Sequence, residues 1–156
     1  MDKNKMIIAI LAIIIVILVV CIGVFFIDTT PKEDIIIYNN TIDGVGTFNT
    51  TNVTNFTLAN SSNDLQTDYV ANDTIAQVTT TASSSAIEVT TSEAEKVNDS
   101  VKGHTIYKDT ANIGEHKGDV RYFSVLKDND NERYILISTD NHNLTGMMVD
   151  TFKFLN

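Results

Sequence analysis

The stretch VRYFSVLKDNDNERYILIS, residues 120–138, decides how the C-terminal half of this 156-residue chain is read. Two runs rich in β-branched and aromatic residues, Val120 to Leu126 and Arg133 to Ser138, flank the polar run Lys127 to Glu132. Such side chains fit a pleated, half-buried surface, and a short polar break between two of them reads as a β-hairpin. Asp128, Asp130 and Glu132 alternate with Asn129 and Asn131, which spaces oxygen ligands as a calcium loop does. A calcium loop also needs a glycine for its sharp turn and a distant bidentate acid. Arg133 stands in the glycine's place and no Glu follows at the required distance, so a solvated turn is expected, with Arg121 and Arg133 as strand-edge charges.

Towards the C-terminus, Leu144, Met147, Met148, Phe152 and Leu155 recur at helical spacing, with Asn143 or a near neighbour as cap. An alternating strand ending in Phe152 and Phe154 is the rival reading of its second half. Towards the N-terminus, Gly114 and Gly118 bracket a loop and His104 to Tyr107 is extended. Ala86 to Thr90 alternates as a strand would. Ser92 and Glu95 stand at capping-box spacing, opening a helix whose apolar face is Ala94, Val97 and Val101, with Gly103 as its stop.

Of the 47 residues from Asn39 to Ser85, 24 are Asn, Ser or Thr and none is Lys or Arg. Apolar and aromatic residues recur through this stretch, among them Phe48, Val53, Phe56, Tyr69 and Val78. That spacing favours solvent-facing strands, near Thr47 to Leu58 and Thr74 to Thr81, over a flexible tether.

Met6 to Ile27 carries no charge and no proline, and its 22 residues would make a helix of roughly 33 Å, enough for a hydrocarbon core of about 30 Å. Lys3 and Lys5 before it place the N-terminus in the cytoplasm and the remainder outside. The run is too long for a signal peptide and Val24 to Ile27 offer no small-residue cleavage site. Val20 before Cys21 argues against a lipoprotein site, and Asn4 to Met6 carry no pilin-type processing signal. The expectation is a single-pass cell-membrane protein divided into a tail (1–5), a transmembrane helix (6–27), a stalk (28–38) and an extracellular domain (39–156). Its fold class is α+β, an antiparallel sheet covered on one face by helices. The net charge of −9 repels phosphate backbones, so no nucleic acid is expected as partner.

Eight N-x-S/T sequons, at Asn39, Asn49, Asn52, Asn55, Asn60, Asn72, Asn98 and Asn143, are about double what composition supplies by chance, and they mark candidate glycosylation sites. The only histidines, His104, His116 and His142, lack the i, i+4 spacing of a helical zinc site. No serine lies in a G-x-S-x-G elbow. No catalytic residue, metal site or cofactor is expected.

The Ile, Asn and Thr usage, the N-terminal apolar run and the sequon-rich segment resemble small membrane-anchored surface proteins of methanogenic archaea. The runs TANIGEHKGDVRYFSVL and NLTGMMVDTFKF resemble the strand, hairpin and final helix of PsbP-like α+β domains. The resemblance implies an accessory or binding role. The leading expectation is therefore a membrane-anchored surface protein whose non-enzymatic domain contacts an envelope component or membrane protein. The alternative is a membrane-tethered hydrolase or metal-dependent enzyme.

Overall fold

The computed structural model describes residues 34–60, 62–71, 76–110 and 118–155. The described chain runs β1 (Ile37–Ile42), β2 (Gly46–Thr51), β3 (Phe56–Leu58), β4 (Gln66–Ala71), β5 (Gln77–Thr81), α1 (Ser84–Glu93), β6 (Glu95–Val101), β7 (His104–Thr110), β8 (Val120–Asp128), β9 (Arg133–Thr139), α2 (His142–Thr151) and β10 (Lys153–Phe154). Seven strands form one antiparallel sheet in the order β3-β4-β5-β9-β8-β7-β6, and β1-β2-β10 form a second, smaller one.

The hairpin of β8 and β9 lies in the middle of the large sheet. Strand β9 puts Ile135 and Ile137 on one face, both fully buried, with the half-buried Leu136 on the other. Val78, Ile137, Ser124 and Ile106 stand in one cross-strand row. Ser124 is buried in that row because its hydroxyl donates to the Thr105 carbonyl at 2.9 Å, which spares it an unpaired polar group.

Helix α2 and the small sheet cover this face together. Asn141 caps α2, its side-chain oxygen accepting from the backbone N–H groups of Asn143 and Leu144. Thr145, Met148 and Val149 form the buried stripe of the helix. The Thr145 hydroxyl is satisfied by Thr139 Oγ1 at 2.8 Å and by the Tyr122 carbonyl at 3.1 Å, which pins the helix to β8 and β9. From the small sheet, Phe48 meets Phe56 edge-on at 5.1 Å and stacks parallel to Phe152 at 5.9 Å. At Gly46 there is no room for a side chain: a Cβ there would lie 2.5 Å from Phe152 Cζ and 2.8 Å from the Lys153 carbonyl.

The structure corrects the α+β expectation. The described protein is mostly β, and α1 buries no residue, so only α2 acts as a helical cover and a second sheet supplies the rest. The helix lies earlier than expected. Ser83 caps it at Ala86, and Thr90, Thr91 and Ser92 bond back to carbonyls three or four residues earlier, so Ala86 to Thr90 is helical and not a strand. The expected helix from Ser92 is instead edge strand β6, in which a bulge between Lys96 and Ser100 interrupts the alternation. Ala94 is the C-cap of α1 while Val97 and Val101 lie in β6, so the three do not form one helical face.

The expected membrane span, residues 6–27, lies outside the described residues. Among the described residues no helix is long and apolar enough to cross a membrane. The single-pass cell-membrane assignment, with its cytoplasmic and extracellular sides, is corrected to that extent.

Candidate contact surface

Three surface stripes converge at the C-terminal half of α2. Between its buried positions the helix presents Gly146, Met147, Asp150 and Thr151. One wall is the outer face of the β1–β2 hairpin, where Ile37, Asn39, Thr47 and Asn49 alternate with the inward-facing Asn40, Phe48 and Thr50. The other wall is the β6–β7 turn, with Val101 and Lys102. Lys102 and Gly103 both have positive φ, 50° and 79°, the two-residue hairpin geometry that suits the right-handed strand twist.

The cleft has two arms that meet at Asn49, Asp150 and Thr151. The larger arm, about 500 Å³, is predominantly apolar, with Ile37, Val101, Gly146 and Met147 in its lining. The smaller, about 290 Å³, is polar, with Asn39, Thr47, Lys102 and Lys153. Lys102 Nζ lies 3.6 Å from the Asp150 carboxylate and donates to the Asp150 carbonyl. An ammonium there also complements the negative end of the helix dipole. Both side chains are more than half exposed, so the pair orients the turn more than it stabilises the fold.

The rim of the apolar arm continues into the start of the small sheet. Ile35, Ile36 and Ile37 are 72%, 51% and 61% exposed in succession. Ile36 accepts at its carbonyl from Asn52 N–H at 2.9 Å, and its own N–H donates to the Asn52 side chain at 3.1 Å. Ile42 likewise accepts from Val45 N–H. The even-numbered residues of this strand therefore turn their backbone groups towards β2. By alternation, Ile35, Ile37, Asn39 and Thr41 direct theirs to the opposite edge, with which no strand pairs among the described residues.

The sequons are scattered over this and other surfaces. Asn39 and Asn49 are cross-strand partners, joined at 3.1 Å, and both line the polar arm of the cleft. Asn52 and Asn55 are exposed at left-handed φ of 56° and 62°, between β2 and β3. Asn60 is exposed, Asn98 falls in the β6 bulge region, and Asn72 lies outside the described residues. Asn143 is exposed on the first turn of α2, but the hydroxyl of its sequon partner Thr145 is fully buried. The sequon's Thr145 is accordingly part of the core packing.

The polar turn Asp128 to Glu132 holds a residue whose role the sequence hides. Asp128 is 2% exposed. Its carboxylate accepts from Asn131 N–H at 3.3 Å, Asn131 Nδ2 at 2.8 Å and Arg133 Nε at 2.9 Å, and Arg133 Nη2 reaches the Gly44 carbonyl at 2.6 Å. Burial pushes the Asp128 pKa up, but the hydrogen bonds from Asn131 and Arg133, with the guanidinium charge, outweigh it and hold the carboxyl below its ordinary range. Asp128 thus closes the hairpin and ties it to the β1–β2 turn. Asp130 and Glu132 are exposed. Acid, amide and guanidinium at i, i+3 and i+5 across a hairpin turn are the sequence signal for this lock.

His104 opens β7, His142 stands at the first turn of α2 with its ring edge-on to Tyr122 at 5.5 Å, and His116 lies outside the described residues. Among the described residues, no three His, Cys, Asp or Glu side chains gather as a metal site would require.

The chain matches no family model, no curated protein and no solved structure.

Proposed function

We propose that this domain is a non-enzymatic binding module whose contact surface is the apolar cleft beside α2 and the open edge of β1. The observation that carries the reading is the continuity of the two: Ile37 lines the cleft and belongs to a run of exposed isoleucines at an edge of β1 with which no strand pairs among the described residues. An open edge supplies backbone donors and acceptors, and an adjacent apolar cleft supplies pockets for alternate side chains. Together they suit an extended, apolar polypeptide segment that joins the sheet.

Gly146 supports the reading from the side of stability. A glycine inside a helix costs about 0.5–1 kcal/mol relative to alanine. Here a Cβ would meet Val101 Cγ2 at 3.6 Å and Ile106 Cδ1 at 3.9 Å, which are ordinary contacts, so packing does not require glycine at this position. What its absence of a side chain preserves is the depth of the cleft.

The test is fluorescence anisotropy with a labelled hexapeptide of alternating Ile and Thr. Binding should be saturable, lost in Met147→Lys on the cleft, and retained in Leu65→Lys, a change at a residue that is 76% exposed and lies in the β3–β4 connection. Absence of binding, or equal loss in both variants, would refute the proposal.

A further inference from the structure

The segment that fits the open edge of β1 is the same edge of a second copy. We infer that two chains pair antiparallel through β1 about a two-fold axis at Ile37, an inference that rests on the contact reading above and names its partner.

Charge is the first reason. The chain carries a net charge of −9, so two copies repel unless they meet where charge is absent. The run IIIYNNTI, Ile35 to Ile42, contains no acidic or basic residue. Of the two lysines that line the polar arm of the adjoining cleft, Lys102 and Lys153, Lys102 is matched by Asp150. A neutral edge on an acidic protein is complementary to itself, whereas a basic partner would find no unmatched acid along this run. Exposed edges in monomeric proteins are commonly blunted by Lys, Pro or a bulge. This one has none of them between Ile35 and Ile42.

Geometry supplies the register. The outward backbone groups belong to Ile35, Ile37, Asn39 and Thr41. An axis at Ile37 therefore makes Ile37 and its copy a hydrogen-bonded pair that exchanges both N–H to O=C bonds, and it sets Ile35 opposite Asn39 on each side. Ile36 and Tyr38 then meet on the other face. The exposed isoleucines are covered, and the copy's Ile35 and Asn39 extend the wall of the cleft. Asp34 stands opposite Asn40 in this register. The two Asp34 carboxylates are separated by six residues of strand, roughly 20 Å at about 3.4 Å per residue, beyond a screening length of about 8–10 Å.

The hydrogen-bonded pair has Cα atoms about 5.5 Å apart, which a disulfide spans. The experiment uses the full chain with Cys21→Ser as background. Ile37→Cys under mild oxidation should give a covalent dimer, while Thr47→Cys, on the strand already flanked by β1 and β10, should not. In the cysteine-free parent, sedimentation equilibrium should show a dimer. Ile37→Lys should raise its dissociation constant about tenfold or more, equivalent to at least about 1.4 kcal/mol. Ile37 is 61% exposed, so the variant should keep the parent's circular dichroism. A monomeric parent, or equal cross-linking at positions 37 and 47, overturns the self-pairing. So does a dimer indifferent to Ile37→Lys. If the Ile/Thr hexapeptide still binds in those cases, the contact reading stands without it, and if the hexapeptide also fails, both fall.

Discussion

Gly146→Ala should make the protein more stable and a poorer binder at once. Removing the conformational freedom of a mid-helix glycine is worth about 0.5–1 kcal/mol. The new methyl finds Val101 Cγ2 at 3.6 Å and Ile106 Cδ1 at 3.9 Å, so it packs without displacing a neighbour and adds a few tenths of a kcal/mol of apolar burial. The sum, about 1 kcal/mol, corresponds to a rise of about 3–5 °C in melting temperature for a domain of this size. The same methyl occupies the floor of the apolar arm beside Met147, where an incoming side chain would sit. Differential scanning calorimetry and hexapeptide anisotropy on one preparation read both effects. Gly46→Ala is the contrasting case. Its Cβ would fall 2.5 Å from Phe152 Cζ and 2.8 Å from the Lys153 backbone oxygen, so β10 must shift at a cost of about 1–3 kcal/mol. A lower melting temperature for Gly146→Ala would show that the helix needs glycine for packing. A higher one with unchanged binding would remove the cleft from the contact surface.

Phe48→Ala removes the ring that joins Phe56 and Phe152 across the core, and it should cost about 3–5 kcal/mol, a large part of the 5–15 kcal/mol typical of a domain. A urea midpoint within error of the parent would show that the small sheet is not part of the cooperative core. Asp128 has a folded pKa held below its unfolded value, so its contribution is complete above the unfolded pKa and is lost as pH falls through the folded one. Urea midpoints measured between pH 5 and 2 should decline less steeply for Asp128→Asn than for the parent, and parallel slopes would contradict the hairpin lock.

The strands of the central hairpin were legible because Ile135 and Ile137 alternate with polar or half-buried neighbours on a buried face. The terminal helix was legible for a similar reason, although it stops at Thr151, and Phe152 and Phe154 belong to the cap and to β10. In the Asn- and Thr-rich stretch the periodic aromatics, of which Phe48 and Phe56 are core or near-core residues, pointed to strands where β2, β3 and β5 lie, but they ran β2 and β3 together and did not place β1 or β4. The segment from Ala86 to Val101 misled because both of its elements lack a clean period. Helix α1 buries nothing and is held by serine and threonine back-bonds, and β6 is an edge strand with a bulge. The candidate contact surface was hidden for another reason. Ile37, Asn49, Val101 and Met147 are far apart in sequence and meet only through the pairing of β1 with β2 and the packing of α2 between that hairpin and the β6–β7 turn. The isoleucine run was visible, but its exposure and its open edge follow from which side of β1 faces β2.

Amide hydrogen exchange along β1, measured with and without the Ile/Thr hexapeptide, tests the contact reading most directly. The account predicts that Tyr38, Asn40 and Ile42, whose N–H groups face β2, are protected throughout, while Ile35, Ile37, Asn39 and Thr41 exchange fast in the monomer and gain protection when an extended segment is added. Protection that appears uniformly along the strand, or none at the odd-numbered residues when the peptide is bound, would contradict it.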